Sequence, residues 1–477
     1  MRVSKAVAIG ATGFMLAWGS GCAWFGSGGL ADAAPDSFAE RLEGLGDTKP
    51  GRPTRVLWIS LSGLEAGAST RELPWVGRLA EHGAAAERLV VSAPSAVQPA
   101  HATLVTGRSP ADHGVSADHP LGDRGVRPEV SVHASQLTGP ALWHETQRRG
   151  LAVAALDWPG TTGADLPDLL PDELPLRKGD RWPELIEEGA TPWLVERAEA
   201  APVAAWFPGR QRDAFLVSAA CELLQRELPP ALLMVRLSQA PAALALSGPA
   251  SAPAHEALER ADAEVGRLLA CADAAGALAG AAVVVTGDIA WFPVHTAVRP
   301  NSVLLDAGLI EQDRTGVVGW ASLSRSNGAS AFVYAENARA AVTARSALAV
   351  AAETSGAFRI VSADEMIERG GDPQAWFGLD ARPGYVFLDG AFGPFLSASP
   401  VRGAAGRLAE DRPGSPGFVA FGQGVRQAVR VPELDQRDVA PTLAELLGFP
   451  LESAEGHPLI GVLEFAKPVA PVPIGPQ

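Results

Sequence analysis

The sequence predicts an α/β protein in which a largely parallel sheet is covered by helices on both faces and a smaller α+β lobe is inserted. Continuous apolar runs, such as VLWIS at 56–60 and AAVVV at 281–285, are typical of strands that are buried on both faces. Amphipathic helical segments separate these runs, the longest at 255–276, and such alternation favours parallel strand pairing. Between 301 and 403 short strands, one helix and many turns replace the alternation, which predicts the lobe.

Length, charge and cysteine content limit the possible functions. The 477 residues suffice for one large domain with an insertion or for two domains. A formal net charge of −15 argues against nucleic acid or an anionic lipid surface as the main partner. Besides Cys22, the chain has Cys221 and Cys271 in helical segments. We expect these two to be buried small apolar residues rather than a disulfide, whose Cα separation a sequence cannot supply.

The amino-terminal residues have the pattern of an export signal. A basic start precedes an apolar run and small residues immediately before Cys22, and the run is short for a transmembrane helix. The ending resembles a bacterial lipobox, although Gly19 stands where Leu is usual. The resemblance implies a signal peptide at 1–21 and acylated Cys22 as a lipid anchor. The alternatives are an ordinary signal peptide, or a membrane anchor with an incidental cysteine.

The regions that flank the expected core are rich in small residues and proline. Residues 22–52 predict a flexible tether, and the Pro-rich residues 467–477 predict a frayed tail. Ala23 after the acylated cysteine resembles the sorting pattern of outer-membrane lipoproteins, which implies a protein that faces the periplasm or the cell surface. The core is then expected over 53–300 and 404–466, with the lobe between them.

The segment VSAPSAVQPAHATLVTGRSPADHG, at 91–114, predicts a strand, a tight turn and the start of a helix. An α/β enzyme places a nucleophile at such a turn, because the amino end of the following helix offers free N–H groups to an anion. The turn consists of Val97, Gln98, Pro99 and Ala100, and none of these side chains is a nucleophile. The surroundings of the turn are typical of an enzyme, but the turn itself is not.

PAHATLVTGRSPADHG, at 99–114, resembles a signature of the type I phosphodiesterase/nucleotide pyrophosphatase family, a branch of the alkaline phosphatase superfamily. Other blocks follow in family order, so the resemblance spans nearly the whole mature chain; they are residues 55–64, 155–165, 230–249, 281–294 and 437–450. It implies an alkaline-phosphatase-like fold. It also implies a two-metal centre, usually zinc, which activates a Thr nucleophile for hydrolysis of phosphodiester or pyrophosphate bonds.

Transferred position by position, the resemblance implies that this site has been lost. The first metal-binding Asp aligns with Ser62 and the Thr nucleophile with Val97. The phosphate-contacting Asn and the other metal ligands align with Ala100, Pro241, Ala245, Asp288, Ile289 and Ala405. Asp288 alone keeps the family residue. We therefore expect no bound cofactor, no metal and no catalytic residue, and a vestigial pocket of Ser62, Val97 and Asp288.

Replacement residues for the lost chemistry are not evident. His101 and His113 match family positions that look structural. Ser62 and Ser95 are conceivable nucleophiles, but neither has a base beside it in the sequence. We expect Asp288 to cap a loop or to pair with a nearby arginine.

Three classes of function stay open. We favour a lipid-anchored extracytoplasmic pseudoenzyme that binds a partner or ligand through the retained scaffold. The second class is a divergent hydrolase with a rebuilt active site, and the third is a purely structural lipoprotein of the envelope. The expected partners are the membrane, through the lipid, and an envelope protein that the sequence does not identify.

Replacement of Cys22 by Ala tests the anchor. Because acylation requires the thiol, we expect the Cys22→Ala protein to leave the membrane fraction or to keep its signal peptide. Cell fractionation and mass spectrometry of the amino terminus measure both outcomes. A variant that is cut normally and stays in the membrane would contradict the lipoprotein interpretation.

Overall fold

The computed structural model describes residues 51–67, 71–118, 132–172, 180–314, 316–408 and 414–465, together with Phe38, Arg41, Leu42 and Gly44. The expected signal peptide, Cys22 and the Pro-rich tail lie outside these described residues. Within the described chain, no helix combines the length and the apolar character needed to cross a membrane.

The strands and helices alternate as expected. In chain order the strands are β1 (Arg55–Leu61), β2 (Ala84–Ala86), β3 (Leu89–Val90), β4 (Val153–Leu156), β5 (Asp168–Leu170), β6 (Leu232–Leu237), β7 (Ala281–Thr286), β8 (Phe292–Val298), β9 (Ile310–Asp313), β10 (Gly316–Trp320), β11 (Ser322–Ser326), β12 (Ser330–Ala335), β13 (Phe358–Val361), β14 (Phe377–Ala381), β15 (Gly384–Phe387), β16 (Leu396–Ala398), β17 (Gly403–Ala404), β18 (Phe418–Gly422), β19 (Val429–Val431) and β20 (Leu434–Asp435). The α-helices are α1 (Pro74–His82), α2 (Val97–Thr106), α3 (Pro110–His113), α4 (Leu142–Arg148), α5 (Trp182–Ile186), α6 (Pro192–Ala200), α7 (Arg210–Leu224), α8 (Ala240–Ser247), α9 (Ala252–Ala274), α10 (Pro300–Asp306), α11 (Ala338–Ser355), α12 (Ala363–Glu368) and α13 (Val439–Leu447).

The central sheet of the described chain has the strand order β19-β2-β18-β7-β1-β6-β4-β5. Strand β1 pairs in parallel with β6 and β7, and β4 pairs in parallel with β5 and β6, whereas β18 is antiparallel to its neighbours. Because side chains alternate along a strand, Leu57 and Ile59 pack into the core on one face and Val56 and Trp58 into the core on the other. The expected α/β fold with a largely parallel, doubly covered sheet is confirmed.

Cys221 and Cys271 form a disulfide, so the expectation of two unpaired cysteines is wrong. Helices α7 and α9 pack side by side over one face of the sheet, and their Cα atoms approach to 5.8 Å at this point. Both cysteines lie in helices as expected, but only the tertiary packing of the two helices brings them within bonding distance.

Part of the expected tether belongs to the core. Phe38 and Leu42, one helical turn apart, are only 2% and 1% exposed. The Phe38 ring lies 5.5 Å from the ring of Trp75, and Arg41 pairs with Asp273 of α9 at 3.4 Å. The interpretation of 22–52 as a uniformly flexible tether is therefore wrong at these residues, which anchor the chain on the α1–α9 side of the core.

The lobe is built on a second, four-stranded antiparallel sheet in the order β11-β12-β14-β13. A further sheet is formed by β8 with β15, β16 and β17, and it begins at Phe292, before the expected lobe boundary at 301. The chain returns to the core beside the turn that precedes α2, where Gly406 N–H donates to the Ser95 carbonyl at 2.7 Å and Ser95 N–H donates to the Arg407 carbonyl at 3.2 Å. The lobe and the turn are thereby joined by backbone hydrogen bonds.

The disulfide is expected to stabilise the fold appreciably. It closes a loop with a sequence separation of 50 residues, so removing it in a Cys221→Ala/Cys271→Ala variant should lower the free energy of unfolding by about 2–4 kcal/mol. Urea denaturation measures this loss, and a reductant should lower the stability of the wild type but not of the variant. Equal stability of the two proteins under oxidising conditions would contradict the expectation.

Candidate functional site

Polar residues follow the strands of the central sheet at one edge. Ser62 follows β1, Asp157 follows β4, Ser238 follows β6 and Asp288 follows β7. Because the carboxyl ends of parallel strands meet at one edge, these residues surround the place where ligands bind in open α/β sheets.

Ser62 and Asp288 are hydrogen-bonded to each other. The Ser62 hydroxyl donates to Asp288 Oδ2 at 2.7 Å, while Asp288 Oδ1 accepts the backbone N–H of Ile289 at 2.8 Å. Both Ser62 and Asp288 are only 1% exposed. The two residues are 226 positions apart, which is why the sequence alone does not reveal a carboxylate beside Ser62.

The amino end of α2 is occupied by a carboxylate of the protein. Ala96, at the position before the helix, has no side-chain acceptor, and the N–H of Gln98 donates instead to Asp118 Oδ1 at 2.7 Å. Asn327 of the lobe accepts the Asp118 N–H through Oδ1 at 3.3 Å. Negative charge is favourable at a helix amino end, so Asp118 takes the position that an anionic ligand would otherwise use. Sequence analysis missed this cap because Asp118 comes from a loop after the helix.

His101 is a neutral structural residue. Its Nδ1 donates to the Val97 carbonyl at 2.8 Å, which leaves Nε2 to accept the hydroxyl of Ser60 at 2.9 Å. Burial lowers the pKa of His101 to about 4. Its ring also meets that of Trp158 edge-on at 5.4 Å. These contacts fix the first turn of α2 to the end of β1.

His113 is likewise neutral and internal. Its Nδ1 accepts the Val115 N–H at 3.1 Å, and its Nε2 donates to the Thr103 hydroxyl at 3.1 Å. Burial is the largest effect that lowers the pKa of His113 to about 3. His113 therefore holds the segment after α3 against α2 and has no ring nitrogen left for a metal.

Comparison with known proteins assigns the family. The model of the type I phosphodiesterase/nucleotide pyrophosphatase family matches residues 56–370. The chain belongs to this family. The matched residues include most of the central sheet, the helices α2 and α9, and part of the lobe.

Solved structures agree on the fold. Murine ectonucleotide pyrophosphatase/phosphodiesterase 5 is 17% identical, with a TM-score of 0.61 over 84% of this chain and 97% of the murine one. An inactive variant of the murine protein in complex with AMP gives the same values. The human protein is 16% identical, with a TM-score of 0.59 over 84% of this chain and 96% of the human one. No curated protein sequence matches. At these identities the structural likeness supports the fold alone, and the expected alkaline-phosphatase-like fold is confirmed.

The residues that we align with the family's metal positions do not fit a zinc ion. Both Asp288 carboxylate oxygens already accept hydrogen bonds, and Ile289 beside it is a buried aliphatic side chain. Pro241 and Ala245 lie on α8 and have no ligating side-chain atom. Over the residues that the structure describes, no group of three or more His, Cys, Asp or Glu side chains is arranged to hold a metal ion.

The residues that we align with the remaining family positions make backbone hydrogen bonds or packing contacts. Ala100 is fully buried in the first turn of α2, and its N–H bonds to the Ala96 carbonyl at 2.9 Å. The carbonyl of Ala405 accepts the Ala329 N–H at 2.9 Å, within the connection from the lobe to Ser95. Ala245 uses its carbonyl to accept the Arg402 N–H at 2.7 Å. Val97 is half-buried at the start of α2. The expectation that residues 97–100 form a turn before the helix is therefore wrong, because they make up the first turn of the helix itself.

A buried charge cluster lies at the same edge, and sequence analysis missed it. The Arg212 guanidinium donates to Asp157 and, at 3.1 Å, to the Trp206 carbonyl, and it stacks on the Trp182 ring at 4.4 Å. Arg236 reaches Asp157 Oδ2 at 3.9 Å and the Ser62 hydroxyl at 3.4 Å. The one available signal was the arginine inside the apolar strand sequence LLMVRL.

Two further carboxyls of this cluster have a raised pKa. Burial is the main cause that raises the pKa of Asp213 to about 7, although Asp213 accepts the N–H groups of Ser238 and Gln239 at 2.9 and 3.2 Å. Burial, and then the charge of Asp157, raise the pKa of Asp172 to about 7. The Gln98 amide donates to Asp172 Oδ2 at 3.0 Å, whereas Asp172 Oδ1 has no partner among the described residues. The hydrogen bonds at this edge therefore do not offset the cost of burying these carboxyl groups in their charged form.

Asp172 should make stability depend on pH. The folded protein holds the Asp172 proton up to about pH 7, whereas the unfolded chain loses it near pH 4, so stability is lost as the pH rises between these values. An Asp172→Asn variant does not titrate here. The free energy of unfolding of the variant minus that of the wild type should therefore increase by on the order of 1–2 kcal/mol from pH 5 to pH 8.

Urea denaturation of both proteins at the two pH values measures this difference, because groups that titrate in both proteins cancel. The same difference at pH 5 and pH 8 would show that Asp172 is already ionised in the folded protein.

Proposed function

We propose that this chain is an exported, lipid-anchored pseudoenzyme of the type I phosphodiesterase/nucleotide pyrophosphatase family, which binds a partner or ligand in the cell envelope. The observation that carries the proposal is the Ser62–Asp288 hydrogen bond. In this bond the carboxylate of Asp288, the remaining family ligand, accepts the hydroxyl of Ser62. The position of the family's nucleophile is taken by Val97.

Export is supported independently by the disulfide. Bonds such as that between Cys221 and Cys271 persist in oxidising compartments and are rare in the cytosol. This agrees with the signal-like amino terminus and with Cys22 as the proposed lipidated residue, and Ala23 after it favours the outer membrane.

A hydrolase with a rebuilt site is the second candidate, and one observation favours it. Asp288 could take the Ser62 proton at 2.7 Å, and Arg236 Nε at 3.4 Å could stabilise negative charge. Burial argues against it, because Ser62 is 1% exposed and a nucleophile must reach its substrate. A purely structural lipoprotein, the third class, is distinguished by affinity capture from solubilised envelopes.

The purified mature protein is expected to contain well below one equivalent of zinc and to hydrolyse no phosphodiester. Zinc sites with four good ligands contribute roughly 10–16 kcal/mol, so a single carboxylate supplies about a quarter of that and cannot retain the ion against water. Loss of a nucleophile alone can lower turnover by on the order of a millionfold. Elemental analysis of chelator-free protein, with aryl phosphodiester, phosphomonoester and nucleotide substrates, provides the test.

The matched controls are Ser62→Ala and Asp288→Asn. Any trace turnover should be the same in wild type and variants, because it then comes from a contaminant. Near-stoichiometric zinc, or turnover that Ser62→Ala abolishes, would contradict the pseudoenzyme proposal and support a hydrolase with a rebuilt active site.

A further inference from the structure

The carboxylates at the sheet edge require positive charge, and the two arginines of the cluster differ in how they can provide it. Arg212 is fully buried and held by Asp157, the Trp206 carbonyl and the Trp182 ring. It compensates the negative charge of Asp157. Its N–H groups donate to these partners, so Arg212 and Asp157 form a fixed ion pair.

Arg236 is placed differently. It lies opposite Ser60 in the β1–β6 register, one residue before the end of β6. Its side chain is 14% exposed, and its contacts with Asp157 and Ser62 are long, at 3.9 and 3.4 Å. The guanidinium therefore lies between the carboxylate that follows β4 and the Ser62–Asp288 pair, without being saturated by either.

We propose that the guanidinium of Arg236 takes over, at this edge, the charge compensation that a bound divalent cation provides in a metal-dependent member of the family. The inference rests on the proposed loss of the metal site. It adds that the positive charge beside Asp157 and the Ser62–Asp288 pair belongs to the chain and cannot be removed by a chelator.

The surrounding charges support this role. Burial and the charge of Asp157 raise the pKa of Asp172, and the charges of Arg236 and Arg212 oppose this rise. Removing Arg236 should therefore leave Asp172 and Asp157 in a poorly hydrated place with Arg212 as the remaining cation of the cluster. Uncompensated buried charge is strongly destabilising.

The test compares Arg236→Met, which removes the charge, with Arg236→Lys, which keeps it. Arg226→Met is the matched control, because Arg226 also pairs with a carboxylate, that of Asp168 at 2.8 Å, but does so at the protein surface. At pH 8 we expect the thermal midpoint of Arg236→Met to fall by on the order of 5 °C, and those of Arg236→Lys and Arg226→Met by clearly less.

A pH readout separates charge compensation from simple packing. The loss caused by Arg236→Met should be smaller at pH 5, where Asp172 is protonated, and adding Asp172→Asn should remove this pH dependence. If Arg236→Met does not fold at pH 8, recovery of folding in the Arg236→Met/Asp172→Asn protein supports the proposal equally. Equal midpoints for Arg236→Met and Arg226→Met, or a loss that is the same at both pH values, overturn it.

The two proposals fail separately. Zinc in the wild-type protein would overturn the proposed function. A zinc-free wild type in which Arg236→Met behaves like Arg226→Met would leave the proposed function intact and reject the role of Arg236.

Discussion

The convergence of the strand ends at one edge of the central sheet is the constraint on which the rest of the site depends. Parallel pairing of β1, β4, β6 and β7 brings their carboxyl ends together. Buried polar groups are costly without a partner, and most of those placed there are bonded within the protein, although Ser238 Oγ and Asp172 Oδ1 have no partner among the described residues. The Ser62–Asp288 bond, the Asp157–Arg212 pair and the Asp118 cap of α2 are three such solutions.

Two glycines with positive φ shape the backbone around this edge. Gly63, at a φ of 91°, allows Leu244 of α8 to pack so closely that a Cβ would lie 2.5 Å from Leu244 Cδ1. Gly406, at a φ of 84°, approaches the Asn327 carbonyl, where a Cβ would lie at 1.4 Å. The positive φ favours glycine at both positions, and Gly406 in addition lies so close to the backbone of Asn327 that no Cβ fits. Packing of this kind fixes the backbone around the edge, and the fold matches that of the related solved structures.

The sequence predicted the fold well because hydrophobic periodicity and the signature at 99–114 are local patterns. The apolar runs of β1 and β7 and the long helix α9 were identifiable from their own residues. What the sequence did not reveal depends on contacts between distant segments. The Cys221–Cys271 bond requires two helices to lie side by side, and the positions of Asp118 and Arg236 require a loop and a strand end to meet α2 and β1. The docking of Phe38 and Leu42 was missed because a composition rich in Gly, Ser and Ala concealed one amphipathic turn.

The docking of Phe38 and Leu42 also sets how far the core can stand from a membrane. For a chain attached to lipid at Cys22, the span from that residue to Phe38 cannot exceed about 55 Å at full extension, whereas a leash running freely to Arg55 would reach roughly twice as far. The point of attachment lies beside Trp75 of α1 and Asp273 of α9. If Cys22 carries the proposed lipid, the segment that follows it meets the core beside α1 and α9 rather than at β1.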